Sequence, residues 1–107
     1  MAERVTEQTA STFNMVSSGA WLVDFRAYWC GPCRTLEPVL TQLAEERAET
    51  RIGLVDINDC TDLAARFGVS SVPTLILFRD GEPHSRLHGA KMKRQLERAL
   101  DDMAGQR

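Results

Sequence analysis

Trp29-Cys30-Gly31-Pro32-Cys33 sets two thiols three positions apart, with an aromatic residue before them and a rigid Gly-Pro between them. At the start of a helix, that spacing lets the two sulfurs meet in a small ring. The unpaired N–H groups and the dipole of the helix also favour a thiolate there. A thiolate attacks disulfides, whereas a thiol hardly does. The pattern therefore points to dithiol–disulfide chemistry carried by Cys30 and Cys33. The competing reading is half of a zinc site, which needs two further ligands at workable spacing. Cys60, His84 and His88 are the only candidates, and none forms a second paired motif. No metal is expected.

Upstream, Trp21-Leu22-Val23-Asp24-Phe25 is a mostly apolar run that suits a strand covered on both faces, with Trp21 as packing. Asp24 interrupts it. The run alone leaves open an outward or salt-bridged aspartate and a buried carboxyl kept for proton transfer. Before this strand, residues 1–10 are weakly patterned, with Arg4-Val5-Thr6 as a short edge strand. Ser11 to Ser18, with Phe13, Met15 and Val16, reads as a short helix ended by the Ser17-Ser18-Gly19 turn.

Downstream, Pro32 suits the first position of a helix. Leu36, Val39, Leu40 and Leu43 give that helix one apolar face, and Pro38 should kink it. Glu45, Glu46, Arg47 and Glu49 read as its solvated end. Ile52 to Ile57 is a second apolar strand. Asn58 or Asp59 is expected to cap a helix through Phe67, with Leu63, Ala64 and Phe67 inward and Gly68 ending it. Thr74 to Phe78 is the most strand-like run. Asp80-Gly81 signals a tight hairpin into Pro83 to His88, which Pro83 demotes to an edge. His84 and His88 should share one solvated face of that edge. Met92, Leu96, Leu100 and Met103 mark a C-terminal helix, with Met92 and Met103 in its core. The order is (β)αβαβαββα, an α/β chain with parallel strands joined through helices and an antiparallel hairpin at the end.

The 107 residues suit one domain, 1–107. Hydrophobic residues make up 43% and charged residues 26%, as in a globular, ordered protein. A net charge of −2 gives no nucleic-acid footprint. No apolar run approaches the ~18 residues of a membrane span. The N-terminus lacks the apolar stretch of a secretory signal, which favours the cytoplasm, where thiols stay reduced. Three cysteines do not make a structural disulfide framework, and Cys60 reads as a partly exposed, incidental thiol. No Gly-x-Gly-x-x-Gly is present, so no nucleotide cofactor is expected and electrons must come from a separate protein.

Over nearly its whole length the sequence resembles the thioredoxin family. The carrying residues are Val23-Asp24-Phe25, Trp29-Cys30-Gly31-Pro32-Cys33, Val72-Pro73-Thr74, Leu77-Phe78, Gly81 and Gly89-Ala90. The resemblance implies a five-stranded mixed sheet flanked by four helices, and a general protein-disulfide reductase. By the same resemblance Cys30 is the attacking thiolate, Cys33 the resolving thiol, and Asp24 a buried acid beneath Cys33. Gly31 and Pro32 tune the pair toward reduction, and Pro73 is a cis-proline facing it. Trp29, Val72, Thr74, Gly89 and Ala90 line an apolar groove for substrate, and Pro73 binds substrate with them. The implied partners are disulfide-containing proteins and a thioredoxin reductase-like flavoprotein, met by a monomer with no nucleic acid, membrane or metal.

Three positions depart from the family pattern. Leu54 stands where bacterial relatives commonly carry a lysine near the aspartate, so Asp24 has apolar company, no evident counter-charge and an expected raised pKa. Arg26 replaces a common aromatic. Cys60 sits where animal members also carry a cysteine, but its usual later partner position is Phe67, so no second intramolecular disulfide can form. Two other readings stand beside the reductase: an interaction subunit of a larger complex, and a disulfide oxidant or isomerase.

Overall fold

A computed structural model describes residues 5–9 and 11–105 of the chain. Five strands form one mixed sheet in the order β1-β3-β2-β4-β5. They are β1 Val5–Glu7, β2 Ala20–Arg26, β3 Thr50–Asp56, β4 Thr74–Arg79 and β5 Glu82–His88. β1 and β2 run parallel to β3 on either side of it, while β4 is antiparallel to β2 and β5 to β4. The helices are α1 Gly31–Glu46, α2 Thr61–Arg66 and α3 Lys93–Ala104. Arg4 of the expected first strand lies outside the described residues, as does the side chain of Met15.

The strand alternation explains how both faces are filled. On β2, Leu22 faces the same way as Ile52, Leu54, Leu75 and Leu77, and this side packs against Leu36, Leu40 and Leu43 of α1 and Leu96, Leu100 and Met103 of α3. Trp21, Val23 and Phe25 face the other way, with Val55, Ile76 and Phe78, and meet Phe13, Val16 and Leu63. Phe67 adds ring contacts to Phe13, Phe25 and Phe78 at centroid distances of 5.2–6.1 Å.

The β4–β5 connection follows its turn residues. Arg79 pairs with Glu82 across a two-residue loop. Asp80 and Gly81 both take positive φ, +50° and +85°, as a tight hairpin with the sheet's twist demands. Asp80 also closes on the start of β2, accepting from Gly19 N at 2.8 Å and donating its own N–H to Gly19 O at 2.9 Å.

Several expectations change. The first helix is a 3-10 helix, Phe13–Ser17, so of the four helices expected around the sheet three are α-helices and one is this 3-10 stretch. Five residues before the Gly19 turn are too few to offset α-helix nucleation. Neither Asn58 nor Asp59 caps α2: the Asp56 carboxylate accepts from both of their N–H groups, and Cys60 takes the cap position. Phe67 therefore lies just past the helix. Pro32 is the second residue of α1, since Gly31 is the first. α1 runs through Pro38 to Glu46, with Pro38 on the exposed side where water can reach the freed Arg34 carbonyl. Arg47 is half-buried rather than solvated and pairs with Asp101 at 2.5 Å, joining the end of α1 to α3. Met92 is not core; it precedes α3 as its cap residue and is 62% exposed. Cys60 is buried rather than partly exposed, its thiol 3.7 Å from Gln8 O. A bulge opposite Leu77/Phe78 leaves His84 unpaired on β5; His84 and His88 are both exposed.

Candidate active site

The turn that delivers Cys30 is built by its own backbone. Cys30 N donates to Ala27 O at 3.1 Å, and Arg34 on α1 reaches back to Tyr28 O at 3.0 Å. Cys30 is thereby the cap residue of the 16-residue helix α1, with extended backbone, and its sulfur accepts from Cys33 N at 3.2 Å. Cys33 follows within the first turn. The two are joined as a disulfide with Cα atoms 5.3 Å apart. Both half-cystines are buried, Cys30 at 5% and Cys33 at 1% exposure, so the openness expected of Cys30 is slight in this oxidised form. Once reduced, Cys30 keeps the backbone donor and the helix N-terminus, and both favour a negative sulfur.

Val72 comes against this pair from the loop before β4, whose start pairs with the end of β2. It is half-buried and packs on the cluster formed by Ala27, Cys30 and Cys33, together with Ile57. The Val72–Pro73 peptide is cis, as the resemblance implied, and Pro73 O accepts from Gly89 N at 2.8 Å. That bond brings the exposed Gly89-Ala90 corner beside the Val72–Pro73 segment. Trp29 is 56% exposed, with its indole N–H fixed to Asn58 Oδ1 at 3.0 Å. Of the six residues expected at the substrate surface, Pro73 is buried, while Trp29, Val72, Gly89 and Ala90 keep exposed or half-exposed surface. Thr74 does not: it is fully buried, and its hydroxyl donates to Ser71 O at 2.7 Å, so it holds the loop rather than lining a surface.

Asp24 settles as the buried alternative. It is 0% exposed, on the sheet face covered by α1, and neither carboxylate oxygen has a hydrogen-bond partner among the described residues. Burial pushes its carboxyl up from the ordinary 3.8 to about 7; Arg26 partly offsets this and Glu37 adds to it. Leu54 is its neighbour across the strand pair, as expected, but the expectation of no counter-charge fails. Arg26, two residues along the same strand, supplies one. Its guanidinium bonds Glu7 at 2.6 Å and, on α1, Glu37.

Sequence reasoning passed over Ala27 and Ile57, which wall the disulfide, and Tyr28, which is 75% exposed beside it. It also passed over the Arg26–Glu37 pairing. The period of two along β2 held the signal for Arg26, since it places Arg26 on Asp24's face. Glu37 lay one helical turn beyond Cys33 and carried no comparable mark.

Among the described residues there is no group of three or more His, Cys, Asp or Glu side chains that could hold a metal ion, and no helix is long and apolar enough to cross a membrane.

Comparison with known proteins places this geometry. The profile of the Thioredoxin family matches residues 4–102. A protein named thioredoxin from Mycobacterium tuberculosis is 44% identical over 101 residues, covering 94% of this chain and 87% of its own. One from Chlamydia caviae is 46% identical over 94 residues, covering 87% and 92%. Among solved structures, a mutant thioredoxin from Halobacterium salinarum superposes with a TM-score of 0.84 at 34% identity, covering 92% of this chain and 88% of that one.

Proposed function

From the premise that this chain belongs to the thioredoxin family, we propose that Cys30 is its attacking sulfur, Cys33 its resolving sulfur and Asp24 the group that takes the Cys33 proton. As a family member the protein is a thiol-disulfide oxidoreductase, a dithiol–disulfide electron carrier that reduces protein disulfides. Its relatives act on disulfide substrates and are generally recharged by a thioredoxin reductase.

The observation that carries the assignment is the position of Cys30 as the cap of α1, its sulfur accepting the Cys33 N–H. In the reduced protein the Cys30 thiolate attacks one sulfur of a substrate disulfide. A Cys30–substrate bond forms, the substrate disulfide breaks, and one substrate thiolate leaves. Cys33 then gives its proton to the Asp24 carboxylate and attacks Cys30. The Cys30–Cys33 bond forms and the second substrate thiolate departs. Two electrons have moved from the dithiol to the substrate. A carboxyl near 7 is suited to this transfer, because both of its forms are populated at neutral pH.

Trp29, Val72, Gly89 and Ala90, with Pro73 holding the segment, are the surface on which a substrate strand would lie. Gly31 and Pro32 set the conformation of the ring between the sulfurs. We place the protein in the cytoplasm as a one-domain monomer recharged by a flavoprotein of the thioredoxin reductase kind. The reducing poise expected of the pair suits that compartment.

Dithiothreitol-driven reduction of insulin, followed by turbidity, tests the assignment. The parent should accelerate precipitation, Cys30→Ser should abolish the acceleration, and Cys33→Ser should stall as a mixed disulfide. Acceleration surviving Cys30→Ser would remove Cys30 from its role.

A further inference from the structure

The environment of Asp24 can be enumerated from the sheet register. Its nearest positions on the same face are Leu22 and Arg26 along β2, Leu54 across on β3 and Leu75 across on β4. Three of the four are apolar, and the fourth is a guanidinium. Asp56, opposite Arg26 on β3, is a diagonal neighbour whose Oδ1 accepts from the N–H groups of Asn58 and Asp59. From α1 the charged group is Glu37, one turn beyond the Cys33 thiol; the α3 residues in this core are Leu96, Leu100 and Met103. β1 contributes Glu7, which reaches Arg26.

Arg26 is also where this buried arrangement meets solvent. A cavity of about 250 Å³ opens between Val5, Arg26, Glu37, Leu40, Thr41 and Leu54. Its wall thus contains two of the four positions around Asp24, Arg26 and Leu54, together with residues of β1 and α1. The Arg26 side chain is 20% exposed and is gripped from two elements, by Glu7 on β1 and by Glu37 on α1.

We propose that Arg26, clamped between Glu7 and Glu37 at this cavity, is a positioning residue that governs how readily Asp24 takes the Cys33 proton and returns it to solvent. The guanidinium favours the carboxylate, the proton-accepting form, and Glu37 opposes it. Holding Arg26 by two acids keeps its charge beside Asp24 without a direct ion pair, which would lock the carboxylate too acidic to retain a proton. The two acids also screen part of the Arg26 charge, so Asp24 stays poised rather than permanently ionised. The inference rests on the role given to Asp24 above; the coupling between Arg26 and Asp24 can be measured without that role.

The experiment is a carbon-13 NMR titration of the Asp24 carboxyl in the oxidised full chain, in the parent, Arg26→Met, Arg26→Lys and Glu37→Gln. Arg26→Met should raise the Asp24 midpoint, Arg26→Lys should restore it toward the parent, and Glu37→Gln should lower it. Opposed signs from partners of one ion pair are not what a general loosening of the fold produces. A tenfold change in ionisation constant, ordinary for a charge within ~6 Å, would leave about a tenth of Asp24 ionised at pH 7 instead of about half. Resolution of a preformed mixed disulfide by Cys33 should then slow about fivefold at pH 7 and recover at higher pH. An unmoved midpoint in Arg26→Met, or shifts of the same sign in Arg26→Met and Glu37→Gln, would overturn the coupling. If Asp24→Asn resolved mixed disulfides as fast as the parent, the proton-transfer role would fail, and the proposal with it, even where the titration showed the coupling.

Discussion

Replacing Asp24 by asparagine should make this protein more stable, and more so as pH rises. The carboxyl is fully buried with no hydrogen-bond partner among the described residues, so its charged form is the form the fold resists. Its pKa is raised from 3.8 to about 7, so between those values the folded chain holds a proton that the unfolded chain releases. Stability must then fall as pH rises through that window and level off above about 7. The interval is about 3 pH units, which at 1.36 kcal/mol each amounts to about 4 kcal/mol. Asparagine keeps the shape and a buried polar group but cannot ionise. Urea denaturation of the oxidised proteins at pH 4 and pH 8 isolates the effect, because the other titrating groups cancel between parent and variant. The advantage of Asp24→Asn should grow by about 4 kcal/mol from pH 4 to pH 8. A constant difference, or a variant that loses ground at pH 8, would refute the reasoning and return Asp24 to an ordinary, ionised aspartate.

Other outcomes follow from the same structure. Cys33→Ser should accumulate a covalent Cys30–substrate disulfide, detectable by mass spectrometry, while turnover is lost; release of substrate at the parent rate would contradict the two-step scheme. Leu100→Ala removes a side chain buried between α3 and the sheet and should cost about 2–5 kcal/mol in urea melts. Trp29 is exposed beside the disulfide and Trp21 is buried in the opposite core, so the fluorescence change on reduction should disappear in Trp29→Phe and persist in Trp21→Phe.

How much of this was legible in the sequence depended on how local each constraint was. The strands were legible because alternation and apolar runs leave few choices, and the Asp80-Gly81 turn because left-handed backbone selects its residues. The two cysteines were legible because their spacing is itself the chemistry. Elements set by what packs on them were not. Ser11 to Ser18 has helix-compatible residues, yet the chain gives it one 3-10 stretch before β2 begins. Met92 fits the apolar spacing of α3 but falls before its first turn, so the same period that buries Leu96 leaves Met92 in water. Cys60 sits in a turn that reads as surface and is buried beside Gln8, a partner remote along the chain, while Thr74, which the resemblance set in the groove, is buried with its hydroxyl on the Ser71 carbonyl. Asp24 was marked by its oddity in an apolar strand, and alternation along β2 already placed Arg26 on its face, whereas the Glu7 and Glu37 that hold Arg26 needed β1 and α1 in place to be seen.

The account depends most on the claim that the start of α1 makes Cys30 the reactive sulfur. Iodoacetamide labelling of the reduced protein at pH 7, followed residue by residue, measures that directly. Cys30 should be alkylated at least about tenfold faster than Cys33, Cys60 or free cysteine. Equal rates at Cys30 and Cys33, or a Cys30 no faster than free cysteine, would contradict it.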